Sequence, residues 1–137
     1  MSTVIWTILT NGEENLSEQV DHFNALEHSG KLDKICKKIG VTPLSDFHDH
    51  TDMKINMIDI DEEKIEGYKK ENEKWHPVEE GMEVLNSLIR HLQENEESFG
   101  IFKKTPKEEI LAELEEIHSW LSNNLTFGKL FHLCIVM

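Results

Sequence analysis

The chain has 137 residues, enough for one ordinary domain with a sizeable core, and its apolar residues, 38 % of the total, are patterned rather than scattered, which argues against disorder. Fourteen Lys and Arg stand against 27 Asp and Glu, a formal charge of −13 with His neutral. A surface of that sign repels phosphate backbones and anionic lipid, so neither nucleic acid nor membrane is an expected partner, while a basic protein or a cation stays open beside plain solubility.

Thr3 to Thr10 is rich in β-branched and aromatic residues and stops at Asn11-Gly12, the pattern of a strand with a turn behind it. Val4, Trp6 and Ile8 face one way, Ile5, Thr7 and Leu9 the other, which places this strand inside a sheet. Leu16, Val20, Phe23 and Leu26 then suggest a helix over residues 17–28 with Gly30 as its left-handed cap. Leu32, Ile35, Cys36 and Ile39 form a second short stripe, closed by Gly40 and flanked by Lys31, Lys34, Lys37 and Lys38. These lysines suit the C-terminal end of a helix dipole more than a docking patch.

Residues 41–52 show no period and read as a loop pinned by Leu44 and Phe47; Met53 to Ile60 alternates weakly, as a short strand would. Asp61 can cap a short helix reaching Tyr68, and a charged connector leads into Trp75. The clearest helix follows. Val78, Met82, Leu85, Ile89 and Leu92 make one stripe, Pro77 suits a first helical position, and Glu79, Glu80 and Glu83 favour its N-terminal dipole. Phe99, Ile101 and Phe102 around Gly100 read as a loop tucking rings under the core. Thr105-Pro106-Lys107-Glu108 has the form of a capping box, and the helix it opens buries Ile110, Leu114, Ile117 and Leu121. Lys129 to Val136 is a last strand, apolar on both faces, with Leu130, His132, Cys134 and Val136 on one of them.

These elements predict a single α+β domain over residues 1–137: a small sheet containing the N- and C-terminal strands, packed against about four helices. Two cysteines, Cys36 and Cys134, make no disulfide framework and read as small buried hydrophobes. No basic segment precedes Val4-Ile5-Trp6, no cleavage site follows, and the longest apolar run is far below the ~20 residues of a membrane span. The expected compartment is the cytoplasm.

Asp46-Phe47-His48-Asp49-His50-Thr51-Asp52 is the densest set of potential ligands. His48, His50 and Asp52 offer N and O donors for a divalent ion such as zinc, and partly resemble the His-x-His-x-Asp-His signature of metallo-β-lactamase-type hydrolases, with Met53 where that signature ends in His. His132, on an apolar strand face, needs a hydrogen-bond partner if buried, and with Trp6 it marks a candidate small-molecule pocket. Neither Ser nor Cys sits on a glycine elbow, and the seven glycines are spread singly, so nucleophile and phosphate-loop chemistry find no support.

Lys38-Ile39-Gly40-Val41-Thr42-Pro43-Leu44-Ser45-Asp46-Phe47, Trp75 with Glu80-Gly81 and the following helix, and the ending Leu130-Phe131-His132-Leu133 together resemble a group of small bacterial cytosolic proteins of unassigned function. That resemblance implies architecture and compartment only. The residues themselves lead first to a non-enzymatic acidic interaction domain that binds a basic protein, as immunity and regulatory proteins do, with no cofactor. The alternative is a metal-dependent hydrolase centred on His48, His50 and Asp52.

Overall fold

The computed structural model describes residues 3–137. Its frame is β5 (Leu130–Val136), whose two edges are both paired. Along one edge, β1 (Val4–Thr10) runs antiparallel from Thr10↔Leu130 to Val4↔Val136. The other edge is shared end to end by two short strands. β3 (His48–Asp49) pairs in parallel with Leu133 and Cys134, and β4 (His76–Pro77) pairs antiparallel with Leu130 and Phe131. β2 (Asn15–Ser17) borders β1, giving the order β2-β1-β5-β3. The α+β class and the joining of both terminal strands in one sheet are as the sequence implies.

Alternation along β1 and β5 sends Ile5, Leu9, Phe131, Leu133 and Ile135 into one hydrophobic cluster with the helices. α2 (Ser29–Ile39) contributes Leu32, Ile35 and Cys36 and ends, as expected, at Gly40, whose φ of 81° makes it a left-handed cap. α6 (Lys107–Asn123) contributes Ile110, Leu114, Ile117 and Leu121. α5 (Val78–Glu94) buries Val78, Gly81, Val84, Leu85, Leu88 and Leu92, while Met82 and Ile89 sit half-buried at the margin. Gly81 decides how close α5 lies to the sheet, because a methyl group there would collide with the Phe131 ring. Pro77 falls just before α5 rather than inside it, paired at the edge of β5 where a missing N–H is tolerated.

Several expectations are corrected. Residues 15–22 are not a helix. Glu18 N–H bonds the Thr7 carbonyl, and His22 exchanges both backbone bonds with Ile5, so β1 claims the segment as an extended neighbour. Only α1 (Phe23–Glu27) is helical there, and Gly30 lies inside α2. The start of α1 is fixed from afar: the Glu113 carboxylate accepts the N–H groups of Asn24 at 3.2 Å and Ala25 at 2.9 Å. Residues 41–49 are more ordered than a loop, with a 3-10 turn over Leu44–Phe47 ahead of β3, although Leu44 and Phe47 are the anchors expected.

The weak alternation after Met53 is not a strand but α3 (Thr51–Met57), begun by a turn in which Asp49 holds Thr51. Asp61 precedes a 3-10 turn leading into α4 (Ile65–Asn72) and makes no side-chain cap. Thr105 is no cap either; its hydroxyl bonds His28 Nε2 at 2.9 Å and its N–H bonds the Phe99 carbonyl. Phe99 is buried as expected, but Ile101 and Phe102 are 85 % and 100 % exposed. Among the described residues no helix is long and apolar enough to cross a membrane.

Two of the four lysines on α2 have a structural task. Lys31 and Lys38 reach Glu97 at 3.0 and 3.1 Å, and His91 Nε2 lies 2.6 Å from the same carboxylate, so α2 is clasped to the segment after α5. The His91 hydrogen bond, opposed by burial and joined by the two lysines, holds the Glu97 carboxyl down at about 2. A depressed carboxyl pKa stabilises the fold above the ordinary value of 4.5, and that gain disappears as the pH falls toward 2. Glu97→Gln should lower stability at neutral pH by about 1.5–3 kcal/mol, the range for hydrogen bonds to a charged group. It should also flatten the loss of stability between those two pH values, as read by urea unfolding across an acid series.

Candidate functional site

The level of β5 at which β3 and β4 meet is that of His132. The backbone of Lys74 and Trp75, leading into β4, passes over the sheet face opposite Phe131 and Leu133. His132 is fully buried there, its ring stacked on the Trp75 indole with centroids 3.9 Å apart and planes 16° from parallel. Its Nδ1 lies 2.9 Å from the Lys74 carbonyl oxygen. A carbonyl only accepts, so Nδ1 carries the hydrogen. Burial, against the pull of Asp49, lowers the pKa of the ring and keeps it neutral. Nε2 is therefore the lone-pair nitrogen, and it is buried without a hydrogen-bond partner. An orphaned acceptor of this kind calls for an explanation.

Two carboxylates supply one. Asp49, 2 % exposed, stands beside Cys134 in the β3–β5 register. Its Oδ1 accepts the Thr51 hydroxyl at 2.9 Å and the Lys74 N–H at 3.3 Å, and its Oδ2 accepts the Thr51 N–H at 3.3 Å. Glu73, half-buried, follows the last turn of α4. A ring nitrogen of His132 and one carboxylate oxygen each from Asp49 and Glu73 all lie within 4.8 Å of one another, and among the described residues no other trio of His, Cys, Asp or Glu does so. Burial first, then the charge of Asp49, raises the Glu73 carboxyl to about 7, with Lys69 opposing. The Lys69 ammonium, 3.9 Å from Asp52, offsets only part of the negative charge of the pocket.

Cys134 borders the trio. It follows His132 by two residues and so shares its face of β5; its thiol reaches Asp52 Oδ2 at 3.5 Å. Burial, then the Asp52 carboxylate, raises its pKa far above the ordinary value, so the group stands as a neutral thiol.

The sequence candidates are distributed unevenly around this cluster. His132 is at its centre. Trp6 lies on the same sheet face, paired across the strands with Cys134, but its indole N–H is taken by Asp21 at 2.7 Å, and the ring covering His132 is Trp75. Asp52 touches the cluster through Cys134. His48 and His50 do not join it. His48 pairs with Leu133 and so takes the other face of β3 from Asp49, its ring stands 6.2 Å from that of His50, and burial with the nearby His50 lowers its pKa to about 4. Away from the cluster, His91 is bound to Glu97, and His118 Nε2 is buried without a partner.

Asp49 was visible only as one acid among several, and Glu73 and Trp75 only as connector and helix lead-in; the alternation of His48-Asp49-His50 was the available signal that Asp49 faces away from its neighbours. A wide cleft lies elsewhere, lined by Val78, Met82 and Glu83 of α5 together with Leu125 and Leu130. Compared with family models, curated proteins and solved structures, the chain finds no match.

Proposed function

We propose that the protein binds a divalent transition-metal ion through Asp49, Glu73 and His132. The observation that carries this reading is a fully buried His132 that has a partnerless Nε2 and is grouped, through a ring nitrogen, with two carboxylates. The surroundings support it. A metal-ligating histidine typically donates its other N–H to a carbonyl or carboxylate, and here Lys74 supplies the carbonyl. Thr51 and the Lys74 amide fix Asp49 in the same way. The imidazole suits zinc or iron better than magnesium or calcium, while the two carboxylates also admit manganese. Cys36 and Cys134 are both buried and unpaired, which supports a reducing, cytoplasmic compartment.

Calorimetric titration of chelator-treated protein with zinc and manganese tests the reading. One site per chain and a raised melting temperature are expected. Glu73→Gln should weaken binding by at least about tenfold, since losing even a group that only orients a metal ligand costs that much. Absence of both heat and thermal shift would overturn it.

A second reading rests on the outer surface. Asp59, Asp61, Glu62, Glu63 and Glu66 are exposed around the 3-10 turn ahead of α4. This acidic stretch supports the capture of a basic protein, steered by charge, and disfavours nucleic acid. Replacing all five with their amides should abolish a salt-sensitive interaction with a lysine-rich probe protein while leaving metal affinity unchanged. Binding that ignores both salt and the replacement would count against this surface.

A further inference from the structure

The geometry points to Cys134 as the fourth ligand of this centre, which makes it a closed, zinc-class site joining three chain segments rather than an open catalytic one. The inference rests on the metal-binding reading above and extends it to the class of metal and the role of the site.

Three observations place the thiol. Strand alternation puts Cys134 on the His132 face of β5, and register sets it beside Asp49. It is 1 % exposed, so its sulfur is shielded from solvent. Its polar contact is the Asp52 carboxylate at 3.5 Å, a weak bond that a metal–sulfur bond can replace.

The four donors would then come from β3 (Asp49), the end of α4 (Glu73) and β5 (His132, Cys134). Zinc holds such N, O and S ligands at about 2.0–2.3 Å in a tetrahedron, so the Asp49, Glu73 and His132 donors, now within 4.8 Å of one another, must draw in by roughly an ångström, and the Cys134 sulfur, which lies outside that group, must move further to join them. Glu73, half-buried at the end of α4, can supply part of that movement.

The chemistry balances without an oxidant. The cation and the Cys134 thiol give a metal–thiolate bond and one released proton. Asp52 Oδ2 faces the sulfur, and its side chain is 39 % exposed, so it offers the proton a path to water. Four protein donors fill a tetrahedral shell and leave no place for a substrate or reactive water, the pattern of structural rather than catalytic zinc. Thiolate ligation also separates zinc and cobalt from manganese, which prefers oxygen donors.

Cobalt(II) is the probe. Added to the chelator-treated protein, it should give the intense visible bands of a tetrahedral site together with a near-ultraviolet sulfur-to-cobalt charge-transfer band. Cys36→Ser should keep that band. Cys134→Ser should lose it while still binding cobalt through the remaining three ligands, at least about tenfold more weakly. Because the chain has two cysteines, the Cys36→Ser spectrum assigns the sulfur even should Cys134→Ser fail to fold. Cobalt bound without a charge-transfer band would overturn Cys134 ligation and leave the metal site standing on nitrogen and oxygen donors. A band that vanishes in Cys36→Ser would overturn it as well. No cobalt binding at all would overturn both readings.

Discussion

Every level of this structure depends on β5 being hydrogen-bonded on both sides. One side is satisfied along its whole length by β1, the first strand of the chain. The other is divided between two-residue strands that arrive from opposite directions, β3 in parallel and β4 antiparallel. Short strands of this kind have little stability of their own, so they are held by what anchors their flanks. Phe47, just before β3, packs on Phe131 and His76, and Gly81, just after β4, lets α5 settle against that same Phe131 ring.

The junction of those two strands brings ionisable groups together beneath Trp75. The segment carrying Trp75 also places the Lys74 carbonyl on His132 Nδ1 and the Lys74 amide on Asp49, one peptide unit on each side of that residue. The backbone thereby fixes the tautomer of the imidazole and the orientation of the carboxylate at once. What remains is a buried lone-pair nitrogen without a partner, in a ring grouped with two carboxylates, a costly arrangement that a bound cation would relieve. The site thus follows from the strand arrangement, with one partner from the connector, one from β3 and two from adjacent same-face positions of β5.

Sequence periodicity conveyed the long elements. The stripe Ile110, Leu114, Ile117 and Leu121 is buried as read, and the terminal strands are where their two-faced apolarity puts them. It failed where backbone bonding was decided by distant chain. Residues 15–22 carry a helical spacing but lie along β1, and α1 starts where Glu113 of α6 accepts its first N–H groups. Thr105 had the right neighbours for a cap and was taken by His28. The site was half legible for the same reason. His132 stood out as an imidazole on an apolar strand, and its sharing a face with Cys134 could be read from alternation alone. Asp49 and Glu73 could not be assigned to it, because their approach is set by the pairing of β3 with β5 and by the end of α4. His48 and His50 looked stronger as ligands than Asp49 between them, yet the register of β3 turns the acid, not the imidazoles, toward His132.

The central claim is that His132 presents an unprotonated Nε2 to a cation while Nδ1 stays bonded to Lys74. Side-chain nitrogen-15 NMR of the histidines, recorded at neutral pH before and after addition of zinc, reads both nitrogens directly. The account predicts a neutral ring protonated on Nδ1 in the metal-free protein, and a shift of Nε2 alone to a metal-bound position when zinc is added. A proton on Nε2, or an Nε2 resonance that zinc leaves in place, would contradict it.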